Sequence, residues 1–379
     1  MIRIIIMRIA LVHDYLVQYG GAERVLEAFA EIWPEAPVYA LVYDGRRLRR
    51  LAGGDFLKGR QIRTSFLQKF PFSKSHHRLF SLLMPLAAEQ FDFSGFDVVL
   101  SDSASFAKGI ITGPDTLHIC YCHTPLRYAW DDCHKYLEEY GWPGPIKFVA
   151  PAFISYLRLW DKAAASRPDK FIANSFFVRR RVKKYYGQEA EVIHPPAETD
   201  KFGPPPKSAV GDYFLMVGRF LPYKKFDVAI EAFNELGYPL KIIGSGPEEK
   251  RLKKMARSNV EFLGWMPPRS SALRDYYQNA KALIFPQEED FGLAPVESMA
   301  AGRPVIAYGA GGALETVKNS ETGLFFGEQT AVSLGEAVLK FEKMEFDPLK
   351  ISRWAEQFDK KIFKEKIKNF VEKSYECGR

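Results

Sequence analysis

The sequence lacks the features that define several special classes of protein. It has four cysteines in 379 residues, too few for a disulfide-stabilised scaffold and without the paired CxxC spacing of a zinc site. They are Cys120, Cys122, Cys133 and Cys377. No run of about 18 apolar residues is present, so no segment predicts a membrane-spanning helix. The first residues lack the small-residue cleavage site of a signal peptide, and we therefore expect a cytoplasmic protein, with Met7 as an alternative start.

Signatures of cofactor and metal binding are also scarce. There is no GKS or GKT P-loop, and no DxD motif lies between short strands. The segment from Gly244 to Gly246 supplies the first two glycines of a GxGxxG fingerprint, but position 249 is Glu, so the dinucleotide-binding motif is incomplete. Residues His76, His77 and His118 have no recognisable ligand spacing, and we expect each of them on the surface or in a core.

The overall composition is that of a folded, globular protein. Hydrophobic residues make up 47% and charged residues 26% of the chain, which excludes extensive disorder and collagen-like fibres. The net charge of +7 includes a local excess: residues 46–80 contain ten Lys and Arg and one acid, Asp55. Such a basic segment can serve an anionic lipid surface, a nucleic acid, or solubility alone.

Short strands and helices alternate in two blocks of the sequence. Buried-strand segments such as RIALVHDY and YFLMVG precede amphipathic segments such as GGAERVLEAFAEIW and DVAIEAFNEL. This alternation predicts parallel βαβ units, in which ligands bind at the carboxyl ends of the strands. The segment HPPAETDKFGPPPK between the blocks contains five prolines, which oppose both helix and central strand. The sequence therefore predicts an α/β protein with two Rossmann-like domains.

The same pattern sets the expected boundaries. We expect a first domain over residues 1–194, a proline-rich linker over 195–207, a second domain over 208–354, and a C-terminal helix over 355–379 that crosses back to the first domain. The segment SKSHHRLFSLLMPLAAEQF is predicted as one helix, and FFVRRRVKKYYG as another that ends at Gly187.

The segment from Glu289 to Glu297, EDFGLAPVE, is the most specific motif. It follows the predicted strand ALIFP and enters a helix with Pro295 near its first turn, where a missing N–H does no harm. Gly292 lets backbone amides approach a ligand closely. One carboxylate lies on the loop and the other is expected in the first helical turn, where they can accept hydrogen bonds from sugar hydroxyls while the amides face an anion. Alternatively, Glu297 only complements the helix dipole and Glu289 is solvated.

A second motif follows the first strand of the second block. In GRFLPYKK, Gly218 and Arg219 precede a proline turn, and Lys224 comes five residues after Arg219. A guanidinium fork and an ammonium group at the tip of a parallel strand suit a diphosphate. The alternative is a surface loop that happens to contain basic residues.

In this order and spacing the two motifs resemble the retaining glycosyltransferases of family 4. Further matching segments are YGGAERV, CHTPLRYAWD, FIANS, VIHPP, FLGW and YGAGGALETV. The resemblance implies the GT-B fold, in which two Rossmann-like domains face a cleft. The combination of HTPLRY, GGAER and EDFGLAPVE is most similar to bacterial O-antigen and capsule mannosyltransferases that use GDP-mannose. It implies transfer, with retention, of a mannosyl group to a hydroxyl of a lipid-linked saccharide in the synthesis of cell-surface lipopolysaccharide or another polysaccharide.

The resemblance also assigns residues to the phosphates of the donor. Gly20 and Gly21 match the glycine loop that closes on the donor phosphates, next to the amide end of the following helix. In the second domain, which would bind the nucleotide sugar, Gly218 belongs to the diphosphate-binding turn. Arg219 and Lys224 would neutralise the leaving nucleoside diphosphate. Because two fixed cations would replace Mg²⁺, we expect a metal-independent site without a cofactor.

Other residues are assigned to the sugar and the nucleoside. His123, in the segment HTP, matches a histidine that faces the sugar in relatives, although from the residues alone it could be a structural hydrogen-bond donor. Glu289 would hold the hydroxyls of the transferred sugar, and Glu297 those of the ribose. The loop that begins at Trp265 would face the nucleobase. The backbone amides that would assist Glu289 are those around Phe291, Gly292 and Leu293.

Alternatives to this hypothesis remain at the level of the sequence. Within the same family, a UDP-sugar or another hexose donor is the first alternative. A nicotinamide-dependent oxidoreductase should show the complete glycine fingerprint and an acidic residue about 20 positions on. A nucleic-acid-binding protein should show an RNA-binding or helix-turn-helix motif, and neither accompanies residues 46–80, so we expect no nucleic acid partner. We expect that segment, in the domain that would receive the acceptor, to dock on the inner face of the cytoplasmic membrane, the alternative being a solvated surface.

Overall fold

Two compact units make up the chain. The computed structural model describes residues 7–131, 133, 144–204 and 211–377. One unit comprises Met1–His194 with Phe363–Arg379, and the other comprises Pro195–Ile362. No helix in these described ranges combines the length and the apolarity needed to cross a bilayer.

Each unit is built on a parallel β-sheet. The strands of the first unit are β1 Ile9–Leu16, β2 Val38–Tyr43, β3 Ile62–Thr64, β4 Val98–Ser103, β5 Leu117–Cys122, β6 Lys170–Ala173 and β7 Ala190–Val192. Those of the second unit are β8 Phe214–Val217, β9 Leu240–Ile243, β10 Val260–Gly264, β11 Leu283–Phe285, β12 Val305–Tyr308 and β13 Gly323–Phe326. The spatial orders are β3-β2-β1-β4-β5-β6-β7 and β10-β9-β8-β11-β12-β13. The two parallel α/β domains expected from the sequence are thus present.

The helices connect and cover these sheets. In chain order they are α1 Gly21–Ile32, α2 Gly45–Ala52, α3 Ser73–His76, α4 Met84–Glu89, α5 Gly144–Ala164, α6 Phe176–Tyr186, α7 Thr199–Phe202, α8 Phe226–Leu236, α9 Glu249–Met255, α10 Ser271–Asn279, α11 Leu293–Ala300, α12 Ala313–Thr316, α13 Ala331–Phe341, α14 Pro348–Ala355 and α15 Lys360–Cys377. As predicted, α6 ends before Gly187, whose φ of 72° is the left-handed conformation that glycine adopts without strain.

The core of the first unit lies between its sheet and helix α1, and it includes the C-terminal helix. Phe29 of α1 stacks on Phe363 of α15 with a ring-centroid distance of 5.9 Å. Ile367 and Val371 follow on the same apolar face of α15, since positions three or four residues apart lie on one side of a helix. The last helix therefore contributes to the hydrophobic core of the N-terminal unit.

Residues 195–204, which the prolines marked as part of a linker, pack within the second unit. Ala197 pairs with Asp359 as an isolated β-bridge. Phe202 of α7 is buried, and its ring meets that of Tyr277 edge-on at a centroid distance of 5.4 Å. Residues 205–207 of the expected linker lie outside the described residues.

Two predictions of secondary structure were wrong. Residues 73–91 do not form one helix: α3 is followed by a 3₁₀ turn, and a new helix, α4, begins at Met84. Pro85 explains the break, because proline lacks an N–H and its ring clashes with the preceding turn, so it is favoured at a helix start, and it lies in the first turn of α4. The edge strands β3 and β13 were not predicted: β3 contains a single apolar residue, Ile62, and β13 begins with a glycine, which weakens a strand pattern.

Candidate active site

The C-terminal sheet reverses its order between strands β8 and β11. The chain leaves β8 towards β9 on one side and β11 towards β12 on the other. In open parallel sheets the loops after two such strands diverge and leave a crevice in which ligands bind. The two predicted motifs follow these two strands: Gly218–Lys224 comes after β8, and the loop that contains Glu289 comes after β11.

Lys224 and Glu289 meet at this crevice. Lys224 Nζ forms an ion pair with Glu289 Oε1, and their side chains are only 14% and 20% exposed. Gln287 Nε2 donates a second hydrogen bond to the same carboxylate oxygen over 3.0 Å. Burial acts against the charge of Lys224, but the Glu289 carboxylate raises the pKa of Lys224 above its ordinary value. Lys224 is therefore a fixed, protonated cation.

Arg219 lies on the turn directly after β8. Its side chain is exposed, and its charge acts on that of Lys224. The 3₁₀ turn Pro222–Lys224 carries the lysine, and the next residue, Lys225, has a φ of 53° as it enters helix α8. Two cationic groups thus flank one short loop, as a diphosphate site requires.

The glycines of the incomplete fingerprint support this loop. Gly244 has a φ of 153°, and a Cβ atom there would lie 1.8 Å from the carbonyl oxygen of Gly218. A Cβ at Gly246 would lie 2.5 Å from the carbonyl oxygen of Phe220. The Phe220 N–H donates to the Ser245 carbonyl oxygen over 3.0 Å. These glycines are therefore needed because two backbone turns touch, a role that the sequence motif did not reveal.

The loop with Glu289 is fixed in a similar way. Gly292 has a φ of 90° immediately before helix α11, and a Cβ there would lie 2.9 Å from the ring of Phe285. The Gly312 N–H donates to the Glu289 carbonyl oxygen over 2.8 Å. A Cβ at Gly312 would lie 2.3 Å from Cα of the buried Phe291. Leu293 is the first residue of α11.

Glu297 is placed differently from the prediction. Because α11 begins at Leu293, Glu297 is its fifth residue and lies in the second turn, not the first. Its side chain is buried, and Oε2 accepts a hydrogen bond of 2.9 Å from the hydroxyl of Tyr277 on α10. The Glu297 carboxylate is thus held by a side chain from another helix. Nothing in the sequence pointed to Tyr277.

Trp265 lies at the same edge of the sheet, at the carboxyl end of β10. The turn is opened by Gly264, whose φ is 76° and whose carbonyl oxygen accepts a hydrogen bond of 2.9 Å from the Gly244 N–H. The indole of Trp265 is exposed. An exposed aromatic ring at this edge of the sheet has the chemistry to stack on a planar base.

The predicted residues of the first unit lie at the carboxyl edge of its sheet, whose order reverses between β1 and β4. Gly20 precedes α1 and Gly21 is its first residue, but the Gly20 N–H already donates to Glu23 Oε2 over 2.7 Å. His123 follows β5, and its Nε2 pairs with Oδ1 of the buried Asp102. The amide of Gly20 is therefore engaged within the protein rather than left for an anion.

Metal ligands are not clustered in the described part of the chain, where no group of three or more His, Cys, Asp or Glu side chains is placed to hold an ion. His118, for which the sequence suggested a surface or core position, is buried and hydrogen-bonded to Ser101 Oγ over 2.8 Å.

Two known protein families match this chain, one over each unit. Residues 19–201 match the family described as Glycosyltransferase Family 4, and residues 198–360 match Glycosyl transferases group 1. An uncharacterised glycosyltransferase of Methanocaldococcus jannaschii is 29% identical over 228 residues, which are 58% of this chain and 62% of the relative. A GDP-mannose-dependent α-(1-6)-phosphatidylinositol monomannoside mannosyltransferase of Mycobacterium tuberculosis is 28% identical over 194 residues, 43% of this chain and 50% of the relative.

The matched segments thus span 62% and 50% of the length of these two relatives. Among solved structures, Anabaena HepE in complex with UDP has a TM-score of 0.69 and 18% identity, over 97% of this chain and 100% of HepE. This likeness confirms the predicted GT-B fold. The chain therefore consists of a segment that matches Glycosyltransferase Family 4 followed by a segment that matches Glycosyl transferases group 1.

Proposed function

We propose that the protein is a retaining mannosyltransferase that moves a mannosyl group from GDP-mannose to a hydroxyl of a lipid-linked saccharide in cell-surface polysaccharide synthesis. The observation that carries the proposal is the meeting of Lys224 and Glu289 at the sheet reversal, next to Arg219. This arrangement offers cations for a departing diphosphate and a carboxylate for the hydroxyls of a neutral sugar.

The cations supply the main chemical requirement of the reaction. Breaking the bond between the sugar and the phosphate leaves negative charge on the nucleoside diphosphate and positive charge on the sugar. Arg219 and Lys224, which flank one short turn, stabilise the first charge without a metal ion. Retention then follows from attack on the same face of the sugar, assisted by the leaving phosphate.

The other residues bind the sugar and the ribose of the donor. Glu289 and the backbone around Phe291 to Leu293 hold the mannosyl hydroxyls, while Glu297, oriented by Tyr277, holds the ribose. GDP-mannose is favoured over other donors by the combined motifs HTPLRY, GGAER and EDFGLAPVE. The mycobacterial relative described as GDP-mannose-dependent supports the same choice.

Thermal unfolding with a panel of GDP, UDP, ADP and their sugar conjugates tests the donor. Because a ligand that binds the native state raises the melting temperature by mass action, we expect the largest rise with GDP and GDP-mannose. The Arg219→Ala variant is the matched control and should lose most of that rise. A larger rise in melting temperature with UDP and a UDP-sugar would identify a UDP-sugar, and not GDP-mannose, as the donor. If no nucleotide raises the melting temperature, the proposal is contradicted.

The lipid-linked nature of the acceptor is supported by the surface of residues 46–86. Within the described residues, Arg46, Arg47 and Arg50 form no ion pair, whereas Arg49 pairs with Asp55. Further along, Phe72 and Leu79 are 73% and 77% exposed, and other exposed apolar side chains accompany them. These are Phe70, Leu82, Leu83 and Leu86. Unpaired cations beside exposed apolar side chains suit an anionic lipid surface, to which each cation contributes about 1 kcal/mol.

Co-sedimentation with liposomes tests this surface. We expect binding to require anionic lipid, to fall at high salt, and to weaken when Arg46, Arg47, Arg49 and Arg50 are replaced by Glu. Replacing Leu79 and Leu82 by Ser should weaken binding without changing the charge. If the wild type does not bind anionic liposomes at low salt, residues 46–86 do not dock the protein on a membrane.

A further inference from the structure

Four ionisable side chains form a row through the interior of the N-terminal unit. His13 on β1 donates from Nδ1 to Asp102 Oδ2 on β4 over 2.8 Å. On its other side, His13 Nε2 lies 3.6 Å from Glu23 Oε1 on α1. The other oxygen of Asp102, Oδ1, pairs with His123 Nε2. The side chains of His13, Asp102 and Glu23 are at most 3% exposed, and that of His123 is 12% exposed.

The charges in this row are fixed by the neighbouring groups. Burial opposes a charge on His13, but Asp102 and Glu23 together raise the pKa of His13 to about 10. Burial also acts against the charge of Asp102, whose pKa is nevertheless held below its ordinary value by His123 and His13. At neutral pH, His13 is therefore an imidazolium between two carboxylates, and both of its ring nitrogens carry protons.

Both ends of the row contact residues that we expect from the sequence to bind the nucleotide-sugar donor. At one end, Glu23 Oε2 accepts the N–H of Gly20, the residue that begins the glycine turn. At the other end, ionised Asp102 can only accept a hydrogen bond, so Nε2 of His123 must be the nitrogen that carries the proton. The backbone of His123 is held as well, because its carbonyl oxygen accepts a hydrogen bond of 3.0 Å from Asn174 Nδ2.

We propose that His13 is a positioning residue that sets both the glycine turn and the ring of His123 through one continuous row of hydrogen bonds and ion pairs. The proposal rests on the proposed function and on the expectation from the sequence that His123 faces the transferred sugar. With the Nε2 proton committed to Asp102, a neutral His123 presents Nδ1 as a hydrogen-bond acceptor. The site thus selects a sugar whose hydroxyl donates a hydrogen bond to this nitrogen.

The first test reads the histidine rings directly and needs no activity. The chain contains seven histidines, and in protein labelled with ¹⁵N-histidine the signals of His13 and His123 are assigned from His13→Gln and His123→Gln. We expect His123 to be the Nε2–H tautomer when neutral. In His13→Gln, Asp102 loses the imidazolium that holds its Oδ2, so the ring ¹⁵N chemical shifts of His123 should change. His123 ring shifts in His13→Gln that equal those of the wild type would overturn the proposal.

The second test is a double-mutant cycle on donor turnover. We expect His13→Gln to lower kcat/KM for the donor by roughly tenfold or more in the wild-type background. In the His123→Ala background, the same change should cost less than about twofold, because its effect passes through His123. An equal loss in both backgrounds would show that His13 does not act through His123.

A matched control separates positioning from general damage to the core. His118 is equally buried on the neighbouring strand β5 and binds Ser101, outside the row. We expect His118→Gln to leave the His123 ring ¹⁵N shifts and kcat/KM near wild type. If it reproduces both effects of His13→Gln, those effects come from loss of packing and the proposal falls. If the wild type turns over no nucleotide sugar, the proposed function fails, while the NMR result still decides whether His13 controls the ring of His123.

Discussion

Replacing Lys224 by Met removes the cation from the ion pair at the sheet reversal while keeping most of the side-chain volume. Removing one partner of a fully buried pair costs about 3–5 kcal/mol, because the remaining charge is left uncompensated. The pair between Lys224 and Glu289 is partly exposed, at 14% and 20%. We therefore expect a cost of about 2–3 kcal/mol. This would lower the melting temperature of a domain of this size by roughly 4–12 °C.

The double variant Lys224→Met with Glu289→Gln separates folding from catalysis. Replacing both partners removes the uncompensated charge, so the stability should return to within about 1 kcal/mol of the wild type. Donor turnover should not return. We expect it to remain lower by roughly 10²-fold or more in both variants, since the departing diphosphate has lost a fixed cation.

Thermal unfolding and release of nucleoside diphosphate from the donor are the two assays. The conservative control is Lys224→Arg, which keeps a cation and should retain more activity than Lys224→Met. The reasoning is refuted if Lys224→Met turns over the donor at a near-normal rate, or if the double variant regains activity together with stability.

Other consequences concern neighbouring parts of the structure. In calorimetry, Glu297→Ala should weaken binding of GDP, whereas Glu289→Ala should impair use of the sugar and leave GDP binding intact; equal affinity losses would contradict this division. Activity should persist in excess EDTA, and a complete loss that Mg²⁺ or Mn²⁺ restores would refute a metal-free site. Gly244→Ala should destabilise the protein and abolish nucleotide binding, because its Cβ would meet a carbonyl oxygen at 1.8 Å, while Gly335→Ala, in open space within a helix, should be harmless. The wild type should be more stable than His13→Gln, and this difference should be greatest below about pH 6.5 and fade as the pH rises through about 10, because folding raises the pKa of His13. If chemical denaturation shows the same difference in free energy of unfolding at pH 6 and pH 10, this prediction is contradicted.

The position of Gly218, Arg219 and Lys224 at the end of a strand could be predicted because these residues are close together in sequence. Glycine, arginine and lysine follow a strand within a few positions, and the acidic motif follows another strand. Parallel topology then brings strand ends to one edge of a sheet. The ion pair between Lys224 and Glu289, 65 residues apart, follows from that topology and not from either motif alone.

The residues that support the site could not be predicted, because their partners are distant in sequence. Tyr277 binds Glu297 from another helix, and Asp102 lies 89 residues from His13. Neither contact leaves a recognisable spacing. The glycines at Gly244 and Gly246 were assessed against a dinucleotide fingerprint, whereas the structure shows that they permit close contact of two turns.

The position of Glu297 shows a limit of a different kind. The helical turn to which Glu297 belongs depends on which residue begins the helix, and the sequence motif alone does not identify that residue. The helix begins at Leu293 because Gly292, with its φ of 90°, provides the change of direction before it. This boundary places Glu297 in the second turn instead of the first, and there its buried side chain accepts the hydrogen bond from Tyr277.

The most direct test of the central proposal follows the purified protein with GDP-mannose by ¹H NMR, using water or an added saccharide as acceptor. We expect GDP to be released and the first-formed product to keep the anomeric configuration of the donor. The rate should fall by roughly 10²-fold or more in Lys224→Met. A product of inverted configuration, or no turnover with GDP-mannose while a UDP-sugar is consumed, would contradict retaining mannosyl transfer.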